Sequence, residues 1–422
     1  MEEFGPIFRA MLRNKVKFGL IVAEIALTLA VMANCAAMIS KARNEVNRPS
    51  GFDDENLLAV SARPLDVAMR QPGALAAMFR RDRDIVRAAP GVRSMLETRF
   101  APWSDSDSST EIRVKGTNVE LPTQDYNIGE GLTSALGVNL VEGREFTRED
   151  VDRDTERSVA VNEPTPGRGT DAQLAKSFEQ DVIISLAFAK LAFGDGPYVG
   201  KWFDSDGGSY FHVVGVIDRF YKPAHQQRVD EYVMFMADRD ESYQRGFRAL
   251  VRTEPGQAAT VARKIEERLR GSEDLLEIKV EGIPEVRTRH FGPQRLVATL
   301  MGIVIVLLVL VTSLGVAGLT SFSVTERTRQ IGTRRALGAT TGTIIRYFLM
   351  ENWLLTTVGL ILGVALAVGL NVVAVTVFSG TKLNVPLLTF SMVLLWTVGL
   401  GSAIAPAMRG SRISPAVATR NI

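Results

Sequence analysis

Residues 296–325 read LVATLMGIVIVLLVLVTSLGVAGLTSFSVT and contain no ionisable side chain. A bilayer core of about 30 Å is crossed by roughly 20 apolar helical residues, so this stretch alone is long enough to span. Outward from it, Asn352–Thr381 and Leu383–Met408 are equally free of charge, and Phe18–Ser40 holds a single acid, Glu24. Four such stretches exclude a purely soluble protein. A chain of 422 residues that is 46% hydrophobic, with no low-complexity tract, also excludes disorder. The one cysteine, Cys35, lies inside the first apolar stretch, so neither an intrachain disulfide framework nor a thiolate metal site is expected.

The net charge of +2 conceals an asymmetry. Arg9, Arg13, Lys15 and Lys17 precede the first stretch. Arg327, Arg329, Arg334, Arg335 and Arg346 lie between the second and third, and Arg409, Arg412 and Arg420 follow the fourth. Lys382 is the exception. Basic residues near span ends resist translocation. The N-terminus, the 323–351 loop and the 407–422 tail are therefore expected on the cytoplasmic side, with 41–295 and the 379–387 turn outside. The spans are expected at 16–40, 296–322, 352–378 and 386–406. The first is longer than a secretory h-region of about 7–15 residues and reads as a retained span, although Asn34–Ala37 has the small residues of a cleavage site. Within residues 1–15, Phe4, Ile7, Phe8, Met11 and Leu12 recur at helical spacing, the pattern of an amphipathic helix in the headgroup layer; a frayed terminus is the alternative.

Residues 41–295 have the mixed pattern of a folded domain. The expected fold class is an integral membrane protein: four transmembrane α-helices plus a large α+β extracytoplasmic domain inserted between helices one and two. Strands are expected at 57–61, 111–116, 158–161, 181–185, 211–217, 232–236, 249–252 and 277–281, and helices at 72–89 and 257–270. Strand–helix–strand order occurs at both ends of the segment, around a differently built middle at about 120–225. This layout predicts two subdomains, one made from both ends and one inserted. Pro164–Gly169 is polar and rich in Pro and Gly, and is expected to be an exposed excursion.

No catalytic constellation is present, and the chain is not expected to be an enzyme. Gly194 and Gly200-Lys201-Trp202 miss P-loop spacing by one residue and put tryptophan where a hydroxyl must reach magnesium. No G-x-S-x-G elbow occurs. Gly129-Glu130-Gly131 lacks the third glycine of a dinucleotide loop. His212, His225 and His290 are not at metal-ligand spacing. No cofactor, metal or nucleic acid is expected to bind this chain. Glu24 has two readings: a proton or substrate relay, or an acid that shares a helical face with Lys17 and reaches the interface or a neighbouring helix.

Between the second and third spans lies ERTRQIGTRRALGA, Glu326–Ala339. Its first part can continue the second span as a helix. Gly338 is placed to end it in a left-handed cap, and Thr341 can start the helix that enters the third span. The result is a rigid basic elbow. Loops that only enforce topology or touch anionic lipid need no defined helix break, so a docking role is favoured. In the spans themselves, Gly315 and Gly318 in the second and Gly359 and Gly363 in the third permit close helix contact, at a dimer interface or within one chain.

The elbow motif, the later Glu351 and the glycine-rich third span resemble the cytoplasmic loop of FtsX-like/MacB-type ABC transporter permeases, the type VII ABC group. Pro406-Ala407-Met408-Arg409 with Arg412-Ile413-Ser414-Pro415-Ala416 resembles the family's closing motif. Leu140–Phe146 resembles a "GR-F" turn of the MacB-like periplasmic core domain, and Ala187–Gly200 with Val213–Ile217 resembles its "LA–FG–G–VVGV" run. The likeness extends over nearly the whole chain, in order. Pro164–Phe178 departs from it.

The resemblance implies a multi-pass permease of the bacterial inner membrane that dimerises, with itself or another permease chain, and recruits cytoplasmic ABC ATPase subunits. In it, Glu326, Arg327, Arg329, Ile331, Gly332, Arg334, Arg335, Gly338 and Ala339 would couple to the ATPase. ATP and magnesium would sit on that partner. Some members carry the ATPase ahead of span one; no such segment stands there in this sequence, so a separate chain is expected to supply it. ATP-driven movement would pass to the external domain by mechanotransmission. The function expected first is efflux of an antibiotic, peptide or siderophore, with a periplasmic adaptor and outer-membrane channel as further partners. An FtsX-like signal relay to a cell-wall hydrolase and lipoprotein extraction are the alternatives.

Overall fold

The computed structural model describes residues 15–66, 69, 72–103, 109–114, 120–162, 179–205, 210–221, 231–237, 246–272, 275–378 and 383–412. Residues 1–14 of the expected amphipathic helix, the 164–178 stretch, His225, Lys382, and Ile413–Ala416 lie outside the described residues. The chain divides into two compact units, Met1–Asn47 with Pro293–Ile422, and Arg48–Gly292.

In chain order the elements begin α1 (Lys15–Val46), β1 (Leu57–Pro64), α2 (Pro72–Arg87), β2 (Val92–Glu97), β3 (Ser109–Arg113), β4 (Glu120–Ile128), α3 (Leu132–Leu136), β5 (Leu140–Gly143), α4 (Arg148–Asn162), β6 (Glu179–Ser185), α5 (Leu186–Phe193) and β7 (Trp202–Ser205). They continue with β8 (Tyr210–Ile217), β9 (Val233–Ala237), β10 (Phe247–Thr253), α6 (Ala258–Arg270), β11 (Leu276–Gly282), α7 (Ile283–His290), α8 (Gly292–Glu326), α9 (Thr328–Ala336), α10 (Thr341–Phe378) and α11 (Val385–Ser411).

In the first unit, α1, α8, α10 and α11 are each long and apolar enough to cross a membrane. A helix satisfies its own backbone polar groups, which lipid cannot do. α10 packs along both α1 and α11, around Ile25, Leu29, Met32, Leu360, Leu395 and Ala403. A second contact centres on Ala30, Ala33 and Ala367, with Leu383 and Leu388 packed against them; small residues let the two backbones approach. Polar side chains within the helices pair across them. Thr28 meets Thr312 at 2.9 Å, Ser313 meets Ser402 at 2.7 Å, and Thr320 Oγ1 donates to Asn352 Oδ1 at 3.2 Å. Asn371 Nδ2 donates to Asn34 Oδ1 at 3.1 Å while its own Oδ1 accepts from the Leu383 amide at 3.0 Å. The turn between α10 and α11 is thereby tied to α1. Glu24 reaches a neighbouring helix. Lys17 pairs with Glu326 at 3.5 Å, whereas the Glu24 carboxylate lies against Gly315 of α8, 2.6 Å from where a Cβ would be.

The second unit holds two sheets. The smaller has the order β11-β1-β10-β2, all antiparallel, and is built from both ends of the segment in split β–α–β topology. Leu58, Val60, Ala62, Phe247 and Val251 on one sheet face bury against Phe79 of α2 and Val261, Ile265 and Leu269 of α6. The larger sheet runs β5-β8-β6-β9-β4-β3-β7, with an additional β7–β8 pairing. One edge of β8 takes β6; the other is shared by β7, through Trp202↔His212, and β5, through Leu140↔Ile217. The sheet thus closes on itself through the β7–β8 pairing, with β5 paired on one side to β8. Val182, Ile184, Phe188, Phe203, Phe211 and Val213 belong to its core.

Three expectations are corrected. Residues 158–161 (SVAV) are the end of α4 and not a strand. Their β-branched residues favour strand, but the helix is started upstream by a capping box, in which the Asp150 amide donates to Thr147 Oγ1 at 3.2 Å and the Thr147 amide donates back to Asp150 Oδ2 at 2.9 Å. β2 completes the strand–helix–strand unit expected at the start of the segment, but strands β4, β5 and β7 were not expected. β4 shows why: its buried Thr123, Gln124, Asp125 and Asn127 break the apolar alternation that marks a strand. Finally, α1 runs to Val46, past the expected end of the first span.

Asp150 carries a pH signature. Burial raises its pKa, but hydrogen bonds from Arg144, the Thr147 amide and the Thr147 hydroxyl outweigh this and hold it at about 2, below its ordinary 3.8. A depressed carboxylate stabilises the fold above its unfolded pKa, and that contribution disappears as pH falls through the folded value. The difference in unfolding free energy between wild type and Asp150→Asn is therefore expected to shrink by about 2 kcal/mol between roughly pH 5 and pH 2. Denaturant titration of the two proteins at each pH checks it; a constant difference would refute the assignment.

Candidate functional site

α8 continues beyond its apolar run to Glu326 and breaks at Arg327, whose backbone (φ −104°, ψ 12°) is not helical. The expected uninterrupted continuation is therefore two helices. The cause of the break is visible in the Arg327 side chain. Nη1 donates to Glu351 Oε2 at 3.1 Å and to Tyr347 Oη at 3.1 Å, and Nη2 donates to Glu351 Oε1 at 3.2 Å. This two-pronged geometry suits a planar guanidinium and a carboxylate, and it pins the start of α9 to α10. Glu351 is buried, with 4% of its side chain exposed.

α9 ends in a Schellman turn. Gly338 sits at φ +93°, its amide donates to Arg335 O at 3.0 Å, and the Ala339 amide donates to Arg334 O at 3.0 Å. A side chain at that φ is strained, so glycine terminates the helix cheaply. Thr340 Oγ1 then accepts from the Thr343 amide at 3.3 Å, capping α10, whose first residue is Thr341. Beneath the elbow Val324, Ile331, Ile344, Phe348 and Ala407 form a small apolar core. Gly410 of α11 packs on Val324, 2.7 Å from where a Cβ would stand.

The nine elbow residues divide into two sets. Ile331 and Gly332 are buried, and Arg327 is spent on Glu351 and Tyr347. Glu326, Arg329, Arg334 and Gly338 are exposed, while Arg335 and Ala339 are partly so. Arg334 stands 5.3 Å from the Tyr347 ring centroid, which orients its charge. The cleft between α9 and α10, lined by Arg327, Gln330, Arg334 and Tyr347, encloses about 30 Å³. That is room for one water and no nucleotide. The arrangement is a rigid basic knuckle, suited to contact and not to bond making. Among the described residues no group of three or more His, Cys, Asp or Glu side chains could hold a metal.

Of the four packing glycines, Gly359 and Gly363 abut Ile25 and Leu29 of α1 within the same chain, Gly315 faces Glu24, and Gly318 has nothing within 4 Å of an added Cβ. Sequence reading missed Tyr347 and Leu337. Tyr347 is twenty residues from Arg327 and carries no local pattern. Leu337, 84% exposed at the elbow's corner, was legible as a lone apolar residue between a basic run and a glycine.

Residues 302–415 match the family model described as FtsX-like permease C-terminal. The chain is 27% identical over 345 residues to the macrolide export ATP-binding/permease protein MacB of Chromobacterium violaceum, covering 78% of this chain and 49% of that protein. It is 26% identical over 323 residues to the uncharacterized ABC transporter permease YvrN of Bacillus subtilis, covering 72% of this chain and 71% of that one. The chain thus spans about half the length of the first of these relatives. Among solved structures, the periplasmic region of MacB from Actinobacillus actinomycetemcomitans is 16% identical with a TM-score of 0.34, covering 58% of this chain and 97% of that one. The chain thus joins an FtsX-like permease C-terminal region, residues 302–415, to four membrane-length helices with an α+β domain between the first and the second.

Proposed function

We propose that the chain is the membrane subunit of an ABC transporter, and that the elbow Glu326–Ala339 seats on a cytoplasmic ATPase carried by another polypeptide. The observation that carries this reading is the clamp of Arg327 on Glu351 and Tyr347. It holds α9 rigid on α10 while Arg329, Arg334 and Leu337 remain exposed. A force applied to that knuckle moves α10 directly, and α10 packs along α1 and α11. The names of the relatives, one an ATP-binding/permease protein for macrolide export and one an ABC transporter permease, favour an export role in which the domain between α1 and α8 moves a substrate outside the inner membrane. The spans hold little charge beyond Glu24, which suits a lever better than an aqueous conduit.

The test is Arg334→Glu combined with Arg335→Glu. Wild-type chain purified from native membranes is expected to bring an ATPase with it, and the double variant to retain it about tenfold less with unchanged thermal stability of the membrane part. Undiminished ATPase retention, ATP hydrolysis by the purified chain alone, or protease access to Arg334 from outside the cell would each defeat the proposal.

A further inference from the structure

In the small sheet of the second unit, α2 and α6 cover one face. The other face has an unusual floor. Ser61 on the central strand β1 is opposite Arg248 of β10 and also opposite Lys279 of β11. Directly paired residues share a face, so two cations flank a serine, each on a strand about 4.8 Å away. Ala59 and Ser61 are small, and the longer side chains beside them stand as walls. The trough so formed encloses about 220 Å³ and is also lined by Arg99, Phe100, Trp103, Val286 and Arg289. Arg248 Nη1 donates to the Arg99 carbonyl at 2.9 Å. Among the described residues Glu281 is the one carboxylate of the lining; it takes Lys279 at 2.8 Å and both terminal nitrogens of Arg289.

Trp103 is a fixed wall of the trough. Its backbone is left-handed, φ +64°, a state rare for a bulky residue and held only where the surroundings over-determine it. The side chain is 1% exposed and fixed by Phe291 (centroids 5.7 Å apart), Tyr221 (6.0 Å) and the Arg287 guanidinium (5.1 Å).

We propose that this trough binds a phosphate ester, with the phosphate oxygens accepting from Arg248 and Lys279 and the attached carbon part lying on Phe100, Val286 and the Trp103 ring. A carboxylate offers two oxygens on one edge. A phosphate offers oxygens to donors on opposite walls, and guanidinium groups match it well. The same chemistry arrives on a soluble phosphate ester or on a phospholipid headgroup. The site is separate from the elbow and does not depend on an ATPase seating there.

The experiment uses the full chain. In detergent, glycerol phosphate is titrated calorimetrically. In nanodiscs of phosphate-free galactolipid doped with phosphatidylglycerol, retained lipid is identified by native mass spectrometry. Saturable binding of either probe is expected, weakened about tenfold or more by Lys279→Met and by Arg248→Met, each of which removes one cationic donor. Lys279 is well exposed, so its substitution does not threaten folding. Binding of glycerol phosphate identifies a soluble source, and retention of phosphatidylglycerol alone a lipid source; both support the proposal. Binding indifferent to both substitutions overturns it. So does the absence of binding by either probe in the wild-type chain.

Discussion

Glu351→Ala is expected to destabilise the membrane unit by about 3–5 kcal/mol, because it strands the Arg327 guanidinium beside an apolar core with its charge uncompensated. Arg327 is itself only 16% exposed in its side chain, so water cannot readily replace the lost partner. The cost concentrates in α9. That helix spans only Thr328–Ala336, too short to persist alone in water, and it is held by the ion pair at one end and by Ile331 on Phe348 and Ile344 in its middle. Its amides are therefore expected to exchange with solvent at close to unprotected rates in Glu351→Ala while α10 stays protected. Replacing both partners, Arg327→Met with Glu351→Leu, removes the stranded charge and should recover much of the loss. Hydrogen exchange and detergent unfolding of the three proteins decide the matter. A single substitution costing less than about 1 kcal/mol would mean that the clamp is an exposed pair of ordinary worth.

This pair also marks where sequence reading reached its limit. The basic run, the glycine stop at Gly338 and the restart at Thr341 follow local rules, each set by neighbours within one helical turn, and each has a counterpart in the geometry. The break at Arg327 does not follow local rules. TERTRQ has no helix breaker, and the residue leaves helical geometry because Glu351 and Tyr347, on another helix, hold its side chain. The inserted domain divides in the same way. The small sheet was legible because its helices α2 and α6 and its strands β1, β10 and β11 alternate with clean apolar periods. The larger sheet was only half legible. β4 buries Thr123 and Asp125 as hydrogen-bonded partners of one another at 3.1 Å, and a strand whose interior is satisfied by polar pairing has no hydrophobic signature. The trough over Ser61 was invisible for a further reason: its cations come from β10 and β11 and are gathered only by strand register.

Gly359→Leu with Gly363→Leu is the second substitution expected to act strongly, by forcing α10 off α1. A Cβ at 359 would stand 2.9 Å from Ile25 Cβ, and one at 363 would stand 3.0 Å from Leu29 Cβ. Those contacts are with the first carbons of side chains anchored on a helix, not with flexible ends, so relief requires the helices to separate. In lipid no hydrophobic force drives them back together, and association rests on packing and hydrogen bonds. Each leucine is expected to cost about 1–3 kcal/mol, more than the roughly 1 kcal/mol by which leaving glycine favours a helix. Separation would also stretch the Asn34–Asn371 bond, now 3.1 Å. Gly318→Leu supplies the contrast. Nothing lies within 4 Å of a Cβ there, so stability should stay within about 0.5 kcal/mol. Thermal unfolding in detergent separates the cases, and equal effects at 318 and 359 would show that the seam is not where α1 and α10 place it. The seam also bears on function. α10 starts at the elbow and α1 leads by chain into the domain at Arg48, so the glycines lie where a displacement of one helix must become a displacement of the other. A variant that still binds an ATPase at the elbow but has lost this contact should hydrolyse ATP without moving the domain, which distinguishes a transmission defect from a docking defect.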